Sequence, residues 1–192
     1  MTPALTSAFA RQAETCAALG SPFMGQLLPA LPRALPEGAL ARRLHAWPED
    51  RLSARFDSVP LRLAGALHHL LLLGVAPDLT AAYPPHVVTD AHLTEVLAAT
   101  MSAHEAAILE SLESPPQTNE VRRAAVLIAV GHWLTALTRV PLVVSEIGAS
   151  AGLNLYWDFF CLHAGDLTLG PVHSPVQLAP EWSGSPTTRC PA

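Results

Sequence analysis

The sequence predicts an α/β protein that is mainly α. A helical N-terminal subdomain over residues 1–117 is followed, over 118–192, by an incomplete Rossmann-like strand–glycine turn–helix unit. Three observations carry this. Apolar residues recur at helical spacing through the first 117 residues, between clear start and stop signals and with no convincing strand. The β-branched apolar run from Val140 to Val144 then reads as a buried parallel strand, and small residues follow it over 148–152. Beyond Asp158 the pattern changes to short alternating stretches around glycine and proline.

In chain order, residues 4–19 form the first expected helix, with Ala, Leu and Phe on one face and Arg11, Gln12 and Glu14 on the other, stopped by Gly20. Ser21-Pro22 supplies an N-cap and a first-turn proline for a second helix ending near Leu31, and Leu31-Pro-Arg-Ala-Leu-Pro36 reads as a loop. A third short helix is expected over 37–46, closed by Pro48. Pro60 opens a strongly apolar helix through Leu73, with Gly74 as its C′ residue. Residues 81–86, with Tyr83-Pro84-Pro85, read as extended or looped because a residue before proline avoids the α region. Thr89 or Asp90 caps a helix, kinked near 100–102, that runs to about Leu112, where Ser114-Pro115-Pro116 breaks it. Thr118 caps the next helix, Asn119 to about Thr138, which delivers the chain into the strand. After Asp158, Leu167-Thr-Leu-Gly, Val172 and Val176-Gln-Leu predict short strands or a hairpin. One parallel-type strand does not complete a layer, because parallel pairing needs crossovers. The expectation is therefore a piece of a longer protein, with an uncovered sheet edge over 140–147 as a route to self-association.

Composition excludes several function classes. Half of the 192 residues are hydrophobic and the mean hydropathy is +0.30, enough for a sizeable core. A formal net charge of -5 argues against a nucleic-acid-binding surface or an anionic-membrane binder. All 11 basic residues are arginine, which removes a Walker P-loop, a Schiff-base lysine and a Ser–Lys dyad. Cys16, Cys161 and Cys190 lie far apart without a CxxC, which suits reduced thiols in a cytoplasmic protein. Met-Thr-Pro-Ala-Leu-Thr lacks a basic n-region and a long apolar core, so no signal peptide is expected. The apolar segments 61–76 and 124–144 are interrupted by histidine, arginine or proline, so buried elements are expected rather than membrane spans. The nine histidines show no metal-ligand spacing: His68 and His69 are adjacent, and His104-Glu105 lacks a second histidine four residues on.

Chemistry concentrates at Glu146-Ile-Gly-Ala-Ser-Ala-Gly152. A strand, a tight glycine turn and a helix form the layout in which open α/β sheets bind nucleotide-like ligands, and glycine lets backbone N–H groups approach them. Read as Glu146-x-Gly148-x-Ser150-x-Gly152, the stretch resembles motif I of class I S-adenosylmethionine-dependent methyltransferases, with Ser150 where the middle glycine is usual. That resemblance implies that the acidic residue and the turn hold the methionine and ribose parts of the cofactor. Read as Gly148-x-Ser150-x-Gly152, the same letters spell an α/β-hydrolase nucleophile elbow, with Ser150 as an acyl-transfer nucleophile. Only helices precede it, however, and Asp158, His163, Asp166 and His173 follow too closely for the intervening sheet. The third reading is a purely structural turn beside a non-catalytic helical interaction module.

Antiparallel packing of the helix from Asn119 on the strand from Pro141 adds a second group. Twenty helical residues span roughly 30 Å and seven strand residues roughly 23 Å. The helix N-terminus therefore returns to the strand's C-terminal end. This predicts one rim that gathers Thr118, Asn119, Glu120 and Arg123 with Gly148, Ala149, Ser150 and Gly152, although Thr-Asn-Glu also suits a plain helix cap. Asn154 and Asp158 follow in the next helix, where a solvated polar face is their ordinary role.

Taken together, Thr118-Asn-Glu-Val-Arg-Arg-Ala124, Glu146-Ile-Gly-Ala-Ser-Ala-Gly-Leu-Asn-Leu155, Asp158, Gly165-Asp166 and Ser174-Pro-Val-x-Leu178 resemble the bacterial domain of unknown function 2332 family. Ser21-Pro22-Phe23 and Tyr83-Pro84 fit its helical N-terminal half. The resemblance implies an uncharacterised, methyltransferase-like bacterial protein whose longer relatives continue the α/β fold. S-adenosylmethionine is then the expected small-molecule ligand, with Glu146 at its amino end. Gly148, Ala149, Ser150 and Gly152 would cradle it, and Asn154, Asn119, Glu120 and Arg123 complete the candidate set.

Overall fold

The structure, a computed structural model, describes residues 2–116 and 120–184. Two compact units follow one another along the chain, residues 1–116 and 117–192. The protein is α/β and mainly α, with one small mixed sheet in the second unit.

Among its described residues the first unit is built from α1 (Pro3–Ala18), α2 (Pro22–Ala34), α3 (Ala39–His45), α4 (Val59–Leu72), α5 (Pro77–Ala82), α6 (Asp90–Ala103) and α7 (Glu105–Leu112). The start and stop signals work as the chemistry demands. Thr2 accepts from Leu5 N at the head of α1, and Thr89 accepts from His92 N at the head of α6. At the end of α4, Gly74 takes φ +70, and the N–H groups of Gly74 and Val75 donate to Leu71 and Leu70 carbonyls, a Schellman closure. The kink expected near 100–102 is the break between α6 and α7 at His104. Helix α3 borrows its cap from far along the chain: Leu40 N donates to Glu105 Oε1 at 2.9 Å.

Two boundaries differ from expectation. Helix α2 runs on through Pro29 and Pro32 to Ala34 instead of ending near Leu31. An interior proline costs about 3 kcal/mol in a helix, but Leu27, Leu28, Ala30, Leu31 and Ala34 are all buried, and that apolar face holds the chain helical. Helix α5 was not anticipated, although Pro77 at its first position and Asp78 in its first turn are ordinary start signals. The loop expected over 81–86 begins only after it.

The core of this unit is one cluster that includes Leu5, Phe9, Leu28, Leu67, Leu97 and Ile108, each exposed by 1 % or less. At its edge sits an ionic lock. Asp57 accepts from Trp47 Nε1 at 2.8 Å and from Arg51 Nε and Nη2 at 2.9 and 2.7 Å. Arg62 donates to the Asp57 carbonyl at 2.6 Å and to the Leu112 carbonyl at 2.9 Å. The Arg51 and Trp47 hydrogen bonds hold the Asp57 carboxyl at about 2, below its ordinary 3.8. A lowered folded-state value stabilises the fold above the unfolded value and is lost as pH falls through the folded one. Acid titration of the wild type should therefore show stability declining between about pH 4 and pH 2. Asp57→Asn should flatten part of that decline. An unchanged acid limb in the variant would show that the lock does not couple to folding.

In the second unit a 3-10 turn, Val121–Arg123, leads into α8 (Ala124–Thr138), so the helix proper starts later than the expected Asn119. Residues 117–119, including Thr118 and Asn119, lie outside the described residues. Helix α8 ends at Arg139, whose φ is +57. The strand expected over 140–147 is absent: the run is irregular, with Val143 96 % and Ile147 102 % exposed. The physical reason is that a strand exists only as half of a ladder, and no described strand pairs with this one. The helix expected after Gly152 is likewise reduced to 3-10 turns, Leu153–Phe159, interrupted at Tyr156.

The sheet forms downstream instead. β1 (Cys161–Ala164), β2 (Leu167–Leu169) and β3 (Gln177–Leu178) stand in the order β2-β1-β3. β1 and β2 are antiparallel, with Ala164 opposite Leu167, and Gly165 supplies φ +60 for the two-residue turn. β1 and β3 are parallel, with Leu162 opposite Leu178. The short strands around 167–169 and 176–178 were expected, whereas β1 was not. A small core joins Ala124, Ala125 and Ile128 of α8 to Phe160, Leu162, Ala164 and Leu178. Among the described residues no helix is long and apolar enough to cross a membrane.

Candidate functional site

The glycine turn is held by its backbone. Gly148, Ser150 and Gly152 take φ +72, +54 and +70, and Ala149 and Ala151 between them are not in that region. Glycine adopts the left-handed region without penalty, whereas a residue with a Cβ there costs roughly 1–2 kcal/mol. Ser150 thus adopts the conformation of the glycine that the motif usually carries at its position. Alternation of left-handed and ordinary residues is the backbone pattern found in anion- or hydroxyl-binding nests. Two turns close the loop: Gly152 N donates to the Ala149 carbonyl at 2.8 Å and Leu155 N to the Gly152 carbonyl at 3.0 Å.

Asn154 follows directly and is 6 % exposed, with its Oδ1 buried and without a hydrogen-bond partner. A buried amide oxygen left unpaired costs about 1–3 kcal/mol. The expectation of a solvated polar face at this position is therefore overturned for Asn154, because the 3-10 turns rotate it inward; Asp158 is exposed.

The other candidates divide. The turn Val121–Arg123 packs against Leu153–Phe159, so Arg123 belongs to the element beside Asn154. Glu120 is spent locally: its carboxylate accepts from Arg122 N at 3.0 Å and lies 3.8 Å from Arg122 Nε. Glu146 is exposed and makes no hydrogen bond or ion pair with the described residues. Asn119 lies outside them.

A polar group that sequence reasoning missed stands on the sheet. Gln177 Nε2 donates to the Val172 and Ser174 carbonyls at 3.2 and 2.7 Å, which fixes the amide and turns Oε1 toward His163 Nε2 at 2.7 Å. That contact requires a proton on Nε2, so Nδ1 accepts from Thr168 Oγ1 at 3.3 Å. The buried Cys161 Sγ lies 3.7 Å from the same Nε2. With Nε2 protonated the imidazole cannot take the thiol's proton, so the pair is structural rather than a nucleophile–base dyad. Its signal in the sequence was the i, i+2 spacing of Cys161 and His163, visible only once β1 is known. Among the described residues no group of three His, Cys, Asp or Glu side chains is placed to hold a metal ion.

The family model for DUF2332, described as an uncharacterized protein conserved in bacteria, matches residues 6–192. No curated protein and no solved structure matches the chain.

Proposed function

The chain belongs to this uncharacterised bacterial family, and from that premise we propose that it is a methyltransferase-like protein that binds S-adenosylmethionine at the 146–152 turn. The observation that supports this reading is the conformation of the turn. Positive φ at Gly148, Ser150 and Gly152 is the backbone pattern of nests that receive carboxylates or hydroxyls, at a place where a side chain would ordinarily be strained.

The residues present suit the cofactor's polar end. Exposed Glu146 is free to take the ammonium of the methionine moiety, and the backbone of the glycine turn beside it would approach the carboxylate or ribose hydroxyls. Bound cofactor supplies an electrophilic methyl group on a sulfonium. The chain's own part would be to hold the cofactor so that an acceptor meets that methyl in line, and alignment of this kind can supply about 7–11 kcal/mol of a barrier.

Isothermal titration of the folded chain with S-adenosylmethionine tests the proposal. Saturable binding is expected, weakened at least tenfold by Glu146→Gln. Gly152→Val should weaken it further, because a β-branched residue resists positive φ. Heat-free titrations up to millimolar cofactor, with circular dichroism confirming folded protein, would remove the reading.

A further inference from the structure

Within the helical unit a cleft of about 420 Å³ opens between α5 and α6, and none of the preceding chemistry uses it. Its long wall is one stripe of α6, where His92, Glu95, Val96, Ala99, Thr100 and Ala103 stand at the i, i+3, i+4, i+7, i+8, i+11 spacing of a single helix face. The first turn of α5, with exposed Asp78 and buried Leu79, contributes the other wall, and His104 at the end of α6 also lines the cleft. The cleft belongs to the first unit alone, and its chemistry owes nothing to the glycine turn.

Two observations separate this cleft from ordinary surface relief. The first is Thr100. A helical threonine readily gives its hydroxyl to the carbonyl four residues back. Thr80 of α5 and Thr94 of α6 do so, to Ala76 and Asp90 at 3.2 and 2.7 Å. Thr100 is 6 % exposed, yet its hydroxyl makes no hydrogen bond with any described residue. The Tyr83 hydroxyl and Asn154 Oδ1 are sealed without partners, whereas Thr100 Oγ1 keeps accessible surface, and Thr100 is part of the cleft wall. An almost fully buried hydroxyl left unpaired at a cleft wall is a demand that a bound group meets.

The second observation is charge. Asp78 and Glu95 bring one carboxylate from each helix, no arginine lines the cleft, and the chain has no lysine. Asp78 makes no hydrogen bond or ion pair with the described residues. Glu95 Oε2 lies 4.0 Å from His92 Nδ1, too far for a hydrogen bond, so that carboxylate is not spent either. A neutral imidazole offers one donor and one acceptor, so His92 and His104 do not set the sign of a ligand. With both neutral, the lining carries two negative charges and no positive one.

The volume lies within the range of about 300–1,000 Å³ typical of small-molecule sites, and exposed Ala99 and Ala103 leave a shallow apolar surface along α6. We propose that this cleft binds a small protonated primary amine with an alkyl or aryl body. The carboxylates of Asp78 and Glu95 attract the ammonium, which donates to Thr100 Oγ1, and the body lies over Ala99 and Ala103. A primary ammonium suits the hydroxyl because it carries N–H donors, which a quaternary one lacks.

The test is ligand-observed NMR and calorimetry on the full chain at pH 8, with benzylamine, hexylamine, benzyltrimethylammonium, benzoate and hexanoate as probes. Benzylamine or hexylamine should bind with a Kd of about 1 mM or tighter, and the two acids at least about tenfold more weakly. Benzyltrimethylammonium should bind several-fold more weakly than benzylamine. Ala99→Leu should abolish binding by filling the cleft while the thermal midpoint stays near that of the wild type, because Ala99 is exposed and leucine is a good helix former. Ala103→Leu reads the same block one turn further along. Thr100→Val should weaken amine binding several-fold without lowering the midpoint, since it removes a hydroxyl that bonds nothing in the protein. Glu95→Gln, at an exposed position, should weaken it about two- to fivefold. Acids binding as well as amines, benzyltrimethylammonium binding as tightly as benzylamine, binding that survives both leucine variants, unchanged affinity in Thr100→Val, or no amine bound at about 10 mM would each overturn the proposal.

Discussion

Replacing Gly131 with alanine should destabilise the second unit by about 1–3 kcal/mol, the range for overpacking a closed site. Helix propensity alone predicts the opposite sign, a gain of up to about 1 kcal/mol for glycine to alanine inside a helix. Geometry decides between them. The indole of Trp157 lies directly over Gly131, so an added Cβ would strike its ring carbons, and Gly131 itself is buried. The ring cannot give way cheaply, because Trp157 belongs to the short turns Leu153–Phe159 that pack on α8 and carry Asn154. The change should therefore also disturb the candidate cofactor turn. Denaturant unfolding followed by tryptophan fluorescence checks the sign, and a stabilised Gly131→Ala variant would show that the indole does not sit where the structure has it.

Leu67→Ala should cost about 2–5 kcal/mol, the usual loss when a fully buried leucine is truncated and a cavity remains. Leu67 is 0 % exposed at the middle of α4, on the face opposite to solvent, within a cluster assembled from α1, α2, α4 and α6. Far-UV circular dichroism in a denaturant titration reads the loss directly. A change below about 1 kcal/mol would mean that α4 is only loosely seated and that the core is misassigned.

What could be read in advance follows from how local each cause is. The helix starts at Pro22 and Thr89 and the stop at Gly74 depend on neighbours within a turn, and those neighbours are adjacent in sequence, although the Ser21 side chain does not make the expected capping bond. The end of α2 was misread because Pro32 is a local veto, whereas the burial of Leu31 and Ala34 that overrides it is a property of the packed unit. The run Val140 to Val144 has strand composition, but strand formation depends on a partner that composition does not reveal. In contrast, β1 has modest strand composition in Cys161-Leu-His-Ala164 and forms because Leu167–Leu169 and Gln177–Leu178 are placed to pair with it. At the candidate site, glycine spacing pointed to left-handed backbone, which Gly148 and Gly152 adopt. The burial of Asn154 Oδ1 depends on three-dimensional surroundings and had no signal in the letters.

The two prolines inside α2 bear on the order in which the chain acquires structure. Pro29 and Pro32 withhold the N–H groups that would pair with the carbonyls of Gly25 and Leu28, so two links of the helical ladder are missing from a segment of only 13 residues. A helix that short is marginal in water even with every link present. Before collapse, residues 22–34 therefore have no reason to be helical, and they become so only when α1 and α6 offer apolar surface to Leu27, Leu28 and Leu31. The segment is therefore expected to join the fold late rather than to nucleate it. Early structure is expected instead in stretches such as α4, which is unbroken by proline beyond its first turn and closed by its own glycine cap.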